Sequence, residues 1–154
     1  LHFLQTYQPQ PSYGLTDPVL QSQADMLEDW LDESIGVAAR FVYYQFRSRE
    51  GKSLDPSLSS QLVIQVVRLQ YVINAIAVDL ATKRLEIALT ELAHRWKQPY
   101  LVGNQFSVAD IAAAALLSPL ARIPHYRQTY PWLFDRIVEV HHRCEEALPP
   151  GLDE

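Results

Sequence analysis

Apolar residues recur at the spacing of one helix face through most of the chain. The first row follows Asp17-Pro18, which offers an N-cap and then proline at the first helical position. At helical spacing, this row contains Leu20, Ala24, Leu27, Leu31, Ile35, Ala38 and Val42. A second apolar row beside it contains Trp30, Val37, Phe41 and Tyr44. The two rows predict a helix that is buried on more than one side and that ends between Arg47 and Gly51.

The middle of the chain predicts two helices with a break between them. Asp55-Pro56 repeats the start signal, and neither proline nor glycine follows until Pro99. One straight helix over that stretch would be ~60 Å long, which is too long for a domain of this size. We therefore predict a break between Asn74 and Asp79. The β-branched run at residues 62–67 also leaves a strand open there.

A capping box is predicted where the next helix starts. Ser107 and Asp110 stand three residues apart, directly before an apolar, alanine-rich run. Phe106 and Ile111 occupy the two positions of a hydrophobic staple across that cap. The Asp110 carboxylate would also lie where the helix dipole favours negative charge. We interpret all four residues as structural, and we assign no catalytic residue in this chain.

A polar stripe runs along the first helix, separate from its two apolar rows. It contains Asp29, Glu33, Gly36, Arg40, Tyr43 and Arg47. Gly36 has no side chain, so another group can approach the backbone there. The two arginines offer planar cations, and Tyr43 offers an aromatic face and a hydroxyl. The stripe is either a ligand-binding surface, able to hold an anion, or an ordinary solvated face with pairs such as Glu33–Arg40.

Composition and charge restrict the possible functions. The 154 residues are 48% apolar, so we expect one globular domain. The formal charge is −5 and the 13 basic residues are scattered along the chain, so we expect binding to neither nucleic acid nor membrane. Cys144 is the single cysteine, which favours a reducing, cytoplasmic setting. His141 precedes it at helical spacing, but two neighbours on one turn do not make a metal site, and we predict none.

Three segments resemble the C-terminal helical domain of glutathione transferases. Residues 99–111 are similar to the family's pattern "pyl-x-G-x-x-x-S-x-A-D-I", and Tyr130 to Ile137 are similar to its final helix. Residues 24–36 are similar to its first long helix. The resemblance implies an all-α bundle of five to seven helices over residues 17–154. It also implies that residues 1–16 are the end of a preceding segment and a linker, and that a thioredoxin-like N-terminal domain is absent from this chain.

The resemblance also implies a division of labour. Glutathione would be the co-substrate of the intact protein and would bind mostly to the thioredoxin-like domain in cis, so this domain alone would bind no cofactor and would be inactive. The helix that carries Gly36, Arg40, Tyr43 and Arg47 would border the cleft for a small electrophilic substrate, and the protein would form a homodimer. The alternative is a non-catalytic assembly module of the same fold.

Overall fold

The computed structural model describes residues 14–49, 65–67, 69, 73–96 and 99–152, and these residues form helices and connecting turns without a strand. Six α-helices have defined bounds within these residues, namely α1 (Pro18–Trp30), α2 (Val37–Arg49), α3 (Ala75–Arg95), α4 (Val108–Leu117), α5 (Pro124–Thr129) and α6 (Pro131–Arg143). A π-helical segment (Leu31–Gly36) joins α1 to α2, and a 3-10 turn (Ser118–Arg122) joins α4 to α5. The prediction of an all-α domain is confirmed.

The helix starts follow local side-chain chemistry. The Asp17 carboxylate accepts hydrogen bonds from the backbone N–H groups of Val19 and Leu20, at 2.8 and 3.3 Å. The Asn74 side chain accepts from the N–H of Ala77 at 2.9 Å, so the predicted break lies at Asn74. Residues 65–67 and 69 are helical, which removes the strand alternative for those positions. The remainder of residues 50–72 lies outside the described residues, as do residues 1–13.

The first long helix departs from the uniform α-helix that its sequence predicts. The π-helical turn at Leu31–Gly36 is wider than an α-turn and rotates the residues that follow relative to those before it. The face that is buried after the turn includes Ala39 in addition to Ala38 and Val42 of the predicted row. Leu15, which falls in the predicted linker, is also buried in the core.

The core is built around α4. Its small side chains allow close packing, and it contacts α1, the π segment and α6. The buried residues of α4 are Val108, Ala109, Asp110, Ala113, Ala114 and Leu117. A second contact joins α2 to α3, and α3 adds the buried side chains Ala81, Leu85, Ala88, Leu89 and Leu92. Within the described ranges, no helix has the length and apolarity needed to cross a membrane.

Candidate functional site

The Ser107–Asp110 pair forms a buried cap that also fixes the preceding loop. Asp110 is fully buried and its Oδ2 accepts from the N–H of Ser107 at 2.9 Å and from the Ser107 hydroxyl at 3.0 Å, so the structure contains the capping box. Its Oδ1 accepts from the N–H of Leu101 at 2.8 Å, nine residues earlier. Burial raises the pKa of Asp110, and these donors oppose the rise. The contacts are buried and intramolecular, so this pair organises the local fold.

Phe106 contacts an aromatic ring and an arginine beside the cap. Its ring lies edge-on to Tyr100, with ring centres 6.1 Å apart. The Arg143 guanidinium lies 4.8 Å from the Phe106 ring centre and 5.5 Å from that of Tyr100. Phe106 and Ile111 are both half-buried, and the staple contact between them stays a prediction.

Gly36 is buried, and a residue of the same domain approaches it. A Cβ at position 36 would lie 2.9 Å from Cδ2 of Leu116 and 3.1 Å from the carbonyl oxygen of Leu31. The glycine therefore allows α4 to pack closely against the end of the π segment. The space that the sequence suggested for a ligand at Gly36 is filled by Leu116, so the predicted stripe does not present one continuous open surface.

Arg40 lines an apolar pocket on α2. The side chain is exposed, and its Nε donates to the carbonyl oxygen of Gly36 at 3.3 Å. The pocket has a volume of about 210 Å³ and is lined, besides Arg40, by Val37, Phe41, Tyr44, Val67 and Ile73. One cation at an otherwise apolar pocket can orient a small apolar ligand that carries a polar or anionic group.

Tyr43 and Arg47 lie together at the end of the stripe. The Arg47 guanidinium is 5.9 Å from the centre of the Tyr43 ring, and the side chain is buried. Arg122, from the 3-10 turn, donates from Nη1 to the Tyr43 hydroxyl at 3.5 Å. The structure thus brings Tyr43 and Arg47 together and adds Arg122. Sequence reasoning missed Arg122, because it lies 79 residues from Tyr43 and no local pattern marks it.

His141 has a hydrogen-bond partner within the chain, and Cys144 is a half-buried free thiol. His141 Nδ1 lies 2.8 Å from the carbonyl oxygen of Ala147. Burial raises the pKa of the half-buried Cys144 thiol, Glu146 adds to the rise and Arg143 opposes it. In the part of the chain that the structure describes, no three metal-ligating side chains come together.

Comparison with known proteins gives a family match for part of the chain. Residues 75–141 match the family model described as glutathione S-transferase, C-terminal domain. These residues are similar to a glutathione S-transferase C-terminal domain, the family that the sequence resembles. The match includes the Ser107–Asp110 cap and begins after the α2 stripe, so the binding role of the stripe remains a separate question.

The fold of this chain is similar to that of a solved structure, the beta-etherase LigF from Sphingobium sp. strain SYK-6. The two share 19% sequence identity with a TM-score of 0.67, over 98% of this chain and 68% of that chain. At this identity the likeness concerns the fold alone. No curated protein matches the chain.

Proposed function

We propose that this domain forms the electrophile-binding side of a glutathione S-transferase that conjugates glutathione to small electrophiles or reduces peroxides. The observation that carries the proposal is the family match over residues 75–141. Glutathione is the co-substrate, held by a thioredoxin-like domain in cis. The single cysteine favours a cytoplasmic location for this protein.

The α2 surface supplies binding and orientation. The pocket of about 210 Å³ beside Tyr44 accepts the apolar body of the substrate, and Arg40 lines one side of it. A hydrogen-bond donor to the glutathione sulfur lowers its pKa and makes more thiolate available at neutral pH. We assign that donor to the thioredoxin-like domain and none of the thiol chemistry to this chain.

The proposal predicts that this domain is active only when it is joined to a glutathione-binding domain. The test compares the 154-residue chain with a joined protein in which this chain follows a glutathione-binding thioredoxin-like domain. Both are assayed with glutathione and either chlorodinitrobenzene or cumene hydroperoxide. The joined protein should turn over at least one of these substrates, and the chain alone should turn over neither. Turnover by the chain alone would contradict this division of labour.

A homodimer is the oligomeric state that we propose, and an exposed apolar row on α3 supports it. Ile76, Leu80 and Ile87 lie at helical spacing, and Ile76 and Ile87 are 82% and 73% exposed. Light scattering should give a dimer mass, and Ile87→Glu should shift it to a monomer, whereas Glu86→Gln should not. A monomeric wild type would refute the homodimer.

The same apolar row favours a second candidate, a non-catalytic assembly module. Exposed apolar residues on one helix face are also suited to a different protein partner. An inactive joined protein would favour the module, whereas an active joined protein would exclude it.

A further inference from the structure

A buried arginine on α2 has a donor that the described residues leave unused. Arg47 is 6% exposed, and its Nη1 has no hydrogen-bond partner among them. The three ion pairs that the described ranges contain lie elsewhere and do not include Arg47. A guanidinium stays charged in proteins, and a buried charge destabilises the fold unless it is paired. The position of Arg47 therefore calls for an anion.

A second arginine reaches the same tyrosine from another element. Arg122 is half-buried and donates to the Tyr43 hydroxyl, while Arg47 lies 5.9 Å from the ring centre of that tyrosine. None of the ion pairs seen in the described ranges includes Arg122 either. The two arginines make the electrostatic potential around Tyr43 positive. Because both are partly removed from water, the lower dielectric constant strengthens their attraction for an anion.

The donors favour a carboxylate on an apolar body. A guanidinium presents parallel N–H groups that match the two oxygens of a carboxylate. The Tyr43 hydroxyl accepts from Arg122, so its own proton is available to donate. Tyr43 also packs against Tyr44, with ring centres 5.7 Å apart, and Tyr44 lines the apolar pocket that Arg40 borders. The arginine pair at Tyr43 therefore neighbours the residue that lines the apolar pocket.

We propose that Arg47, Arg122 and the Tyr43 hydroxyl bind the carboxylate of the small substrate, so that the electrophile is an acid with an apolar body. This inference rests on the proposed function, which supplies the cleft, and it names the substrate class. The α2 surface then selects acidic electrophiles over neutral ones of the same size.

Benzoate is the probe that tests this site without catalysis. The 154-residue chain is titrated with benzoate by calorimetry, and the arginine Nε–H signals are followed by nuclear magnetic resonance. Benzoate should bind and shift the signals of Arg47 and Arg122, while benzyl alcohol should not. Tighter binding of inorganic phosphate would overturn the carboxylate assignment. Tighter binding of glutathione at the same arginines would assign the carboxylate to the co-substrate and overturn the proposal.

Charge-removing variants separate binding from folding. Arg47→Met and Arg122→Met should each weaken benzoate binding by at least about tenfold, because a charge-assisted hydrogen bond is lost. Arg47→Met should leave the melting temperature unchanged or raise it, since it removes a buried charge that the described residues do not pair. Arg127→Met, on the exposed face of α5, is the matched control and should bind benzoate like the wild type.

The remaining outcomes distinguish a failure of this inference from a failure of the proposed function. If Arg47→Met lowers the melting temperature and Glu50→Gln or Asp153→Asn lowers it equally, the anion belongs to the chain itself. Absence of benzoate binding in a chain whose joined protein is active overturns this inference and leaves the proposed function standing. Benzoate binding with an inactive joined protein overturns the proposed function instead.

Discussion

Asp110→Ala removes the one acceptor that joins the α4 cap to the preceding loop. Two buried backbone N–H groups, of Leu101 and Ser107, lose their partner, while the Ser107 hydroxyl can turn elsewhere. Each unsatisfied buried donor costs about 1–3 kcal/mol. Removing a carboxylate whose burial is itself unfavourable offsets part of that loss, as the raised pKa of Asp110 indicates. We expect a net loss of about 3 kcal/mol in the free energy of unfolding, and a melting temperature lower by roughly 6–12 °C.

Urea and thermal unfolding, followed by far-ultraviolet circular dichroism, measure this loss. Asn74→Ala is the matched control, because Asn74 caps α3 from an exposed position and its loss should cost only about 1 kcal/mol. Ser107→Ala should fall between the two variants. If Asp110→Ala costs no more than Asn74→Ala, then the buried carboxylate does not hold the loop and the reasoning fails.

The pH dependence of the same cap has a defined sign. Because burial raises the folded-state pKa of Asp110 above its ordinary 3.8, its contribution to stability is largest below pH 3.8 and decreases as pH rises through the folded-state pKa. The difference in unfolding free energy between the wild type and Asp110→Asn should therefore decrease from acidic pH to neutrality. An increase over that range would show that the donors to the carboxylate outweigh its burial.

Other positions give independent tests of the structure. Gly103 has φ of +59°, and a Cβ there would lie 3.1 Å from Leu20, so Gly103→Ala should cost about 1–2 kcal/mol in urea unfolding, and Gly103→Asn less. Burial raises the pKa of Tyr126 to about 12, so a tyrosine titration should contain a late phenolate component that Tyr126→Phe removes. The raised pKa of Cys144 predicts alkylation by iodoacetamide that is slower at neutral pH than for a free cysteine peptide and that rises with pH; an equal rate would contradict it.

The features that the sequence predicts are those set by neighbouring residues. The hydrogen bonds of the Asn74 cap and of the Ser107–Asp110 pair each join residues three positions apart in the chain. Each cap can therefore be predicted from the spacing of residues in the sequence. The bond from Leu101 to Asp110 depends on how the loop folds back, and spacing alone does not reveal it. The π segment has no signature in the apolar pattern, since Leu31 and Ile35 fit an α-helix equally well.

The candidate site is harder to predict from the sequence, because residues far away in the chain complete it. The stripe locates Tyr43 and Arg47 on one helix, but the partner at Gly36 is Leu116 and the partner at Tyr43 is Arg122. Both partners come from the part of the chain around α4 and the 3-10 turn. Their positions depend on how α4 packs against the π segment, which the periodicity of either helix alone does not determine.

The substrate role of α2 is tested most directly by steady-state kinetics of the joined protein. Arg40→Ala and Tyr43→Ala should each raise KM for the electrophile and lower kcat/KM by about tenfold, a loss of ~1.4 kcal/mol in transition-state binding. KM for glutathione should stay at the wild-type value in both variants. Unchanged electrophile kinetics, or a rise in KM confined to glutathione, would contradict the assignment of this surface to the electrophile.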